Sequence, residues 1–376
     1  MDRRSFLGCG AAGLAAATFA PSLAFAKAAT DKRFLFVIQR GAADGLAILA
    51  PTGDPALARL RPLIGFEGGS RIDPFFTLHP ALKATAALHA AKQALFVHAV
   101  ASPYRDRSHF DGQNVLETGG ALPYRLRDGW MNRLVATMPD DPHAIAFAPT
   151  IPPVLRGAAN VTSYAPSKLP DAGADLMLRV GDLYGADPQL GPLWNQALAA
   201  RAQAGDLASG KGAAAAGALA AKMMAGANGA RIGMIETDGW DTHSGQKARL
   251  GAQLSGLDGL LAAFQAGLGA DWRNTLVIVA TEFGRTAAEN GTGGTDHGTG
   301  SVAWLLGGAV RGGRVLADWP GLGASQLYEG RDLKPTHALD AVIATALAQH
   351  FGQDPARLAA ALFPDTGARP LAEQFV

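Results

Sequence analysis

A chain of 376 residues that is 48% hydrophobic is long enough to bury a large core, and a formal net charge of +1 excludes the basic excess of a nucleic-acid-binding protein. One cysteine in the whole chain excludes a disulfide framework, so stability must come from burial.

The first 26 residues read as a targeting segment. Arg3-Arg4-Ser5-Phe6-Leu7 is a twin-arginine pattern, a Gly/Ala/Leu stretch follows, and Ala24-Phe25-Ala26 is an A-x-A cleavage site. The Gly and Ala content of that apolar stretch and Pro21 argue against a membrane anchor. Cleavage would remove Asp2, Arg3, Arg4 and Cys9, taking Lys+Arg from 33 to 31 and Asp+Glu from 32 to 31. The expectation is a formally neutral periplasmic protein, exported folded, with no remaining anchor and residues 27–376 as one domain.

Along the mature chain, Arg33–Gln39 is an apolar run without alternation, as in a strand buried on both faces. Pro80–Ala91 suits a helix opened by proline. Leu95–Val100 and Ala144–Ala148 read as further buried strands, and residues 150–190, rich in Pro, Gly and Asp, as an excursion over the sheet. Trp194–Gln203 and Ala213–Met224 are Ala-rich helix formers. Ile232–Ile235 is the next strand. Ala248–Leu268 carries Leu250, Leu254, Leu257, Leu261 and Phe264 at helical spacing. Leu276–Ala280 and Val302–Leu306 complete the strands, and His337–Phe351 and Pro355–Phe363 the helices. Strands alternating with helices predict an α/β fold, a mainly parallel central sheet with helices on both faces.

The polar clusters fall where these strands end, which is where open α/β sheets build their sites. Asp44, in the turn Gln39–Leu46, is either a metal or ligand contact or a turn cap. Arg40 either holds an anion in a bidentate fork or pairs with a clustered acid. In Arg105–Asp111, Ser108 is an N-cap of the following helix or a nucleophile; His109 and Asp111 are ligands or orient them; Arg105 and Arg107 suit a phosphate or sulfate ester. Glu236–His243 packs three carboxylates and an imidazole into eight residues, a density that calls for a cation. Asp241 and His243 are the favoured ligands there, beside Asp238. Glu282 follows a strand directly as ligand or general base, close to Arg285. Asp296 and His297 sit in the glycine-rich stretch 291–300, and Asp-His in extended backbone sends one side chain to a metal and its neighbour elsewhere. His79, His89, His98, His143 and His350 read as structural.

Taken together, the twin-arginine leader, Asp44-Gly45-Leu46, Arg107-Ser108-His109-Phe110-Asp111, Asp241-Thr242-His243, Glu282-Phe283-Gly284-Arg285-Thr286 and Gly294-Thr295-Asp296-His297-Gly298 resemble, in order and spacing, the exported DUF1501 proteins. That family resembles a branch of the alkaline phosphatase and sulfatase superfamily. The resemblance implies a three-layer αβα fold, metals at the strand ends, and hydrolysis of phosphate or sulfate esters. It puts the first metal aspartate near Asp44 and the nucleophile at Ser108, ahead of Thr118-Gly119. The Asp…His pair falls on Asp238 or Asp241 with His243, and the last histidine on His297. The superfamily's Asp-His-Gly falls on Glu282-Phe283-Gly284, where Phe283 cannot bind a metal; Asp296, Asp111 and His109 are the residues that could substitute.

Two functions stay open. In the first, Ser108 attacks a small anionic ester, Arg107 or Arg285 neutralises its oxygens, and Asp241, His243 and His297 hold a divalent ion (Zn, Ca, Mg or Mn). In the second, the chain is a non-catalytic periplasmic binding or assembly protein that keeps the fold. The family resemblance also implies an exported protein partner.

Overall fold

A computed structural model describes residues 30–139, 142–166, 174–185, 187–204 and 210–376; the expected signal peptide, 1–26, lies outside the described residues. The strands of the main sheet are β1 (Arg33–Gln39), β2 (Ala94–Ala101), β3 (Ala144–Ala146), β4 (Val161–Ser163), β5 (Ile232–Thr237), β6 (Thr275–Thr281), β7 (Ser301–Leu306), β8 (Arg314–Leu316) and β9 (His337–Ala338). They lie in the order β8-β2-β7-β6-β1-β5-β3-β4, with β9 pairing the far end of β2. All pairings are parallel except those of β7, which runs against both β2 and β6.

That one reversal places the candidate residues together. Gln39, Thr237 and Thr281 end β1, β5 and β6 at the same level, so the loops after these strands share one rim. Because β7 is antiparallel, its first residue, Ser301, opposite Val100 of β2, lies on that rim too. The loop before β7, with Asp296 and His297, therefore meets the loops that follow the other strands.

Surrounding helices are α1 (Lys83–Ala90), α2 (His109–Thr118), α3 (Trp130–Thr137), α4 (Ala174–Gly185), α5 (Leu190–Ala204), α6 (Ala213–Met224), α7 (Gln246–Leu268), α8 (Leu339–Phe351) and α9 (Pro355–Leu362). Strand β1 shows why the central strands lack polar alternation. Phe34, Phe36 and Ile38 pack with Trp130, Leu134, Val342 and Leu358, whereas Leu35 and Val37 pack with Leu219, Met223, Leu254 and Leu261. Both faces are core, and each such side chain stabilises by about 1.5–3 kcal/mol. The central sheet is thus mixed, mostly parallel and surrounded by helices, as expected of an α/β fold.

Several local expectations change. The first long helix starts at Lys83, not Pro80, and the C-terminal helix at Leu339, because His337 and Ala338 instead pair with Val100 and Ala101. Residues 161–163, expected in an excursion, add an edge strand by pairing with β3, and α4 follows them. Leu49–Ala50, Ser70–Arg71 and Thr77–Leu78 form a small separate antiparallel sheet.

Candidate metal centre

The rim is shaped by a close approach of backbone. Gly41, directly beyond β1, has φ +116°, and a Cβ there would lie 2.7 Å from the Asp241 nitrogen. Only glycine permits both the turn and the contact. The Gly41 N–H donates to Glu282 Oε1 at 2.8 Å, which ties the turns after β1 and β6 together.

Three imidazoles converge on this rim. His109, at the start of α2, donates from Nδ1 to Glu282 Oε1 at 2.8 Å. His297 places Nδ1 at 3.0 Å from the Arg107 carbonyl oxygen, and His243 places Nδ1 at 3.1 Å from Asp296 Oδ1. All three partners are acceptors, so each Nδ1 carries the hydrogen and each Nε2 presents a lone pair when the ring is neutral. Those Nε2 atoms meet: His109 and His297 at 3.0 Å, His243 and His297 at 3.0 Å. Asp241 closes the group, with Oδ1 at 3.0 Å from His243 Nε2 and 3.3 Å from His297 Nε2, and Oδ2 at 3.5 Å from His109 Nε2.

Lone pairs facing each other at this distance repel unless a proton or a cation lies between them. Nitrogens bound to one tetrahedral zinc at about 2.05 Å sit roughly 3.3 Å apart, close to the spacing seen. Donor atoms of His109, Asp241 and His297 all lie within 4.8 Å of one another, and His243 touches two of the three. Anchored outer nitrogens and inward lone pairs are how proteins orient imidazole ligands, so these residues fit a divalent ion.

The surrounding charges suit the arrangement. Burial opposes ionisation of Asp241, but the Arg285 guanidinium, 2.5 Å away, outweighs it and holds its pKa below the usual value. Glu282 is fully buried, yet bonds from His109, Gln113 and Gly41 keep it ionised. Its bond to His109 in turn raises the His109 pKa. Burial, then the nearby His109 and Arg285, lowers that of His297. The Asn290 amide, then His243, lowers that of Asp296. Phe283 walls one side, its ring stacked on His109.

Of the residues singled out from sequence, His109, Asp241, His243 and His297 come together directly, and Glu282 and Asp296 stand behind them. His109, one of three substitutes considered for the missing ligand, is the one in the group. Asp44 is not: it caps the short helix Gly45–Ile48, accepting from the Leu46 N–H, and its carboxylate pairs with the buried Arg61 at 2.7 Å. One carboxylate oxygen is taken up by the Leu46 N–H and the other by Arg61, so the turn-cap alternative is the one observed. Asp238 is exposed beyond β5, outside the donor group. Asp111 turns to the Tyr104 hydroxyl at 3.4 Å.

The arginines are engaged rather than free for an anion. Arg40 pairs with Glu117 at 2.9 Å and Glu236 at 2.8 Å. Arg107 pairs with Glu329 and with Asp332 at 2.9 Å. Arg285 is buried and donates to the carbonyls of Gly41, Ala42, Trp240 and Thr295 as well as to Asp241. Ser108 occupies the N-cap position of α2, but its side chain makes no capping bond. Sequence reasoning missed Gln113, which donates to Glu282 and accepts from Arg40. Its signal was the spacing His109, Gln113, Glu117, which puts all three on one helix face.

Residues 160–362 match the family described as "Protein of unknown function (DUF1501)", more than half of the chain. The protein belongs to the DUF1501 family. Asp241, His243, Glu282, Asp296 and His297 of this DUF1501 protein lie inside the matched region; Ser108 and His109 precede it. No curated protein matches the chain. Among solved structures it is similar to Ps i-CgsB in complex with k-i-k-neocarrahexaose, at 9% identity and TM-score 0.37, over 86% of this chain and 73% of that one. It is also similar to the phosphonate monoester hydrolase of Agrobacterium radiobacter, at 10% identity and TM-score 0.29, over 90% and 79%. At these scores neither likeness bears on the chemistry.

Proposed function

We propose that this DUF1501 protein is an exported, periplasmic, metal-dependent hydrolase of small anionic esters, phosphate or sulfate, on a three-layer alkaline phosphatase-like scaffold. One observation carries the metal: three imidazoles, each anchored through Nδ1 to an oxygen, turn their Nε2 atoms onto one another beside the Asp241 carboxylate. His109, Asp241 and His297 hold the ion and His243 adjoins it. A nitrogen-rich set with one carboxylate favours zinc over calcium, magnesium or manganese, which prefer oxygen-rich sites. A bound divalent ion supplies Lewis-acid polarisation of an ester oxygen.

The chain's own groups do the rest. Ser108 is the nucleophile in this reading. It is held between two anchored residues, since the Arg107 carbonyl accepts from His297 and His109 bonds Glu282, and its hydroxyl is not spent on capping α2. Glu282 holds the proton on His109 Nδ1 and so fixes which nitrogen faces the centre. Asp241 stays ionised against Arg285. Arg107 and Arg285 serve as structural counter-charges rather than as anion clamps.

A second reading is a non-catalytic binding or assembly protein with a protein partner, and Phe283 favours it: a buried ring that cannot bind a metal stands in the sequence where the resemblance expects a ligand histidine. Metal analysis of chelator-free protein, with assays on aryl phosphates and aryl sulfates, separates the two. Turnover lost in Ser108→Ala supports the hydrolase. Bound metal without turnover supports the second reading, and neither metal nor turnover removes both the ion and the ester chemistry.

A further inference from the structure

Gln246, the first residue of α7, is fully buried and belongs to no part of the donor group, yet it touches both loops that supply it. Its amide nitrogen donates to Asp44 Oδ2 at 2.5 Å. Its amide oxygen accepts from Thr242 Oγ1 at 2.9 Å and from Thr295 Oγ1 at 2.6 Å. Thr242 stands between Asp241 and His243, and Thr295 is two residues before His297. The loops are also joined directly, the Thr295 N–H donating to the Thr242 carbonyl at 3.2 Å.

The polarity of this junction is set from one end. Asp44 accepts from Arg61 and the Leu46 N–H, so it offers only acceptors to Gln246. The amide must therefore turn its nitrogen to Asp44 and its oxygen to the threonines. Arg61 extends the tie, donating to the carbonyls of Thr286 and Ala287, while the Thr286 N–H donates to the Asp296 carbonyl at 2.9 Å. Asp44, Gln246, Thr242, Thr295 and Arg61 are all buried, where an unmade hydrogen bond costs most.

We propose that Gln246, oriented by Asp44, is a positioning residue that clamps the Asp241–His243 loop to the Asp296–His297 loop and so sets the metal affinity of the centre. The purpose given to the clamp rests on the metal reading above; the mechanical link does not.

The experiment titrates zinc into metal-free protein in competition with a chelator. Thr242→Val and Thr295→Val keep side-chain shape and remove one hydroxyl each; each should weaken zinc binding roughly ten-fold, in the range seen when partners behind metal ligands are lost. Thr242→Ser, which keeps the hydroxyl, should bind like the wild type. Thr242→Val should add nothing in a Gln246→Met background, because both act through one amide. Unchanged affinity in both valine variants, or losses that simply add, overturns the proposal. If Gln246→Met does not fold, the valine variants and the serine control carry the test. Amide hydrogen exchange of the metal-free protein gives a second readout: in the valine variants both loops should exchange faster together, and a change in one loop alone, or in neither, overturns the clamp. Should the wild type bind no zinc, the metal reading fails and the exchange result alone decides the clamp.

Discussion

The ring of Phe283 lies over the imidazole of His109, centroids 5.0 Å apart and planes 26° from parallel. Phe283 is buried in a small cluster with Ala42, Tyr104 and Val115, so it both closes that side to water and fixes the imidazole plane. Replacing Phe283 with Ala leaves a cavity that costs about 3–5 kcal/mol and frees the ring of His109. Urea unfolding should show that loss, together with weaker zinc binding. Phe283→Leu, which keeps more of the volume, should show less of both.

Glu282→Gln separates charge from shape. Glu282 Oε1 accepts from Gly41, His109 and Gln113, and a glutamine oxygen can accept the same three bonds. What disappears is the negative charge behind His109, and with it the ring's added basicity. Zinc affinity should fall 10–100-fold with little change in the unfolding midpoint, measured by chelator competition and thermal melts. A large drop in stability with intact affinity would instead make Glu282 a purely structural acid.

The two kinds of information differ in how far they reach along the chain. Arg33–Gln39 was legible as a strand because burial on both faces leaves no polar alternation, a property of the segment itself. The direction of β7 was not, since Val302–Leu306 reads the same whichever way it runs; only its pairing with β2 and β6 reverses it. That direction brings Asp296 and His297 to the rim. The two readings of Asp44 could not be told apart for a similar reason. An acid after a glycine turn looks alike whether it faces an ion or a buried guanidinium, and its partners Arg61 and Gln246 lie 17 and 202 residues away. His337 was read as helical because its pairing with Val100 leaves no local trace.

Two histidines outside the centre predict an acid sensitivity independent of metal. His98 donates from Nε2 to the Leu49 carbonyl and accepts the Ala99 N–H at Nδ1, so a proton on Nδ1 would face a donor. His350 donates to the Arg33 carbonyl and is likewise buried. Burial lowers both from 6.5 to about 4. Above pH 6.5 neither state takes a proton there. As pH falls below 6.5 the unfolded chain binds protons that the folded chain refuses, so stability drops until about pH 4 is reached. Each histidine accounts for at most roughly 3 kcal/mol. Unfolding free energies measured by urea from neutral pH down to this range should fall accordingly, and His350→Gln, a neutral donor, should flatten part of the slope.

The donor group itself predicts a ranking. His109, Asp241 and His297 are mutually within reach, whereas His243 touches only His297 and Asp241 at the contact distances seen. His297→Ala removes the nitrogen that both other imidazoles meet and should abolish stoichiometric zinc binding; His243→Ala should weaken it and leave one ion per chain. Zinc at about one hundred times its dissociation constant stabilises a folded protein by about 2.7 kcal/mol, so the wild type should melt higher with zinc, a chelator should reverse the gain, and His297→Ala should show neither effect. A proton shared among the imidazoles would relieve the same repulsion without any metal. In that case the wild type would melt at the same temperature with zinc and with chelator, and the reading of this rim as a metal centre would fall.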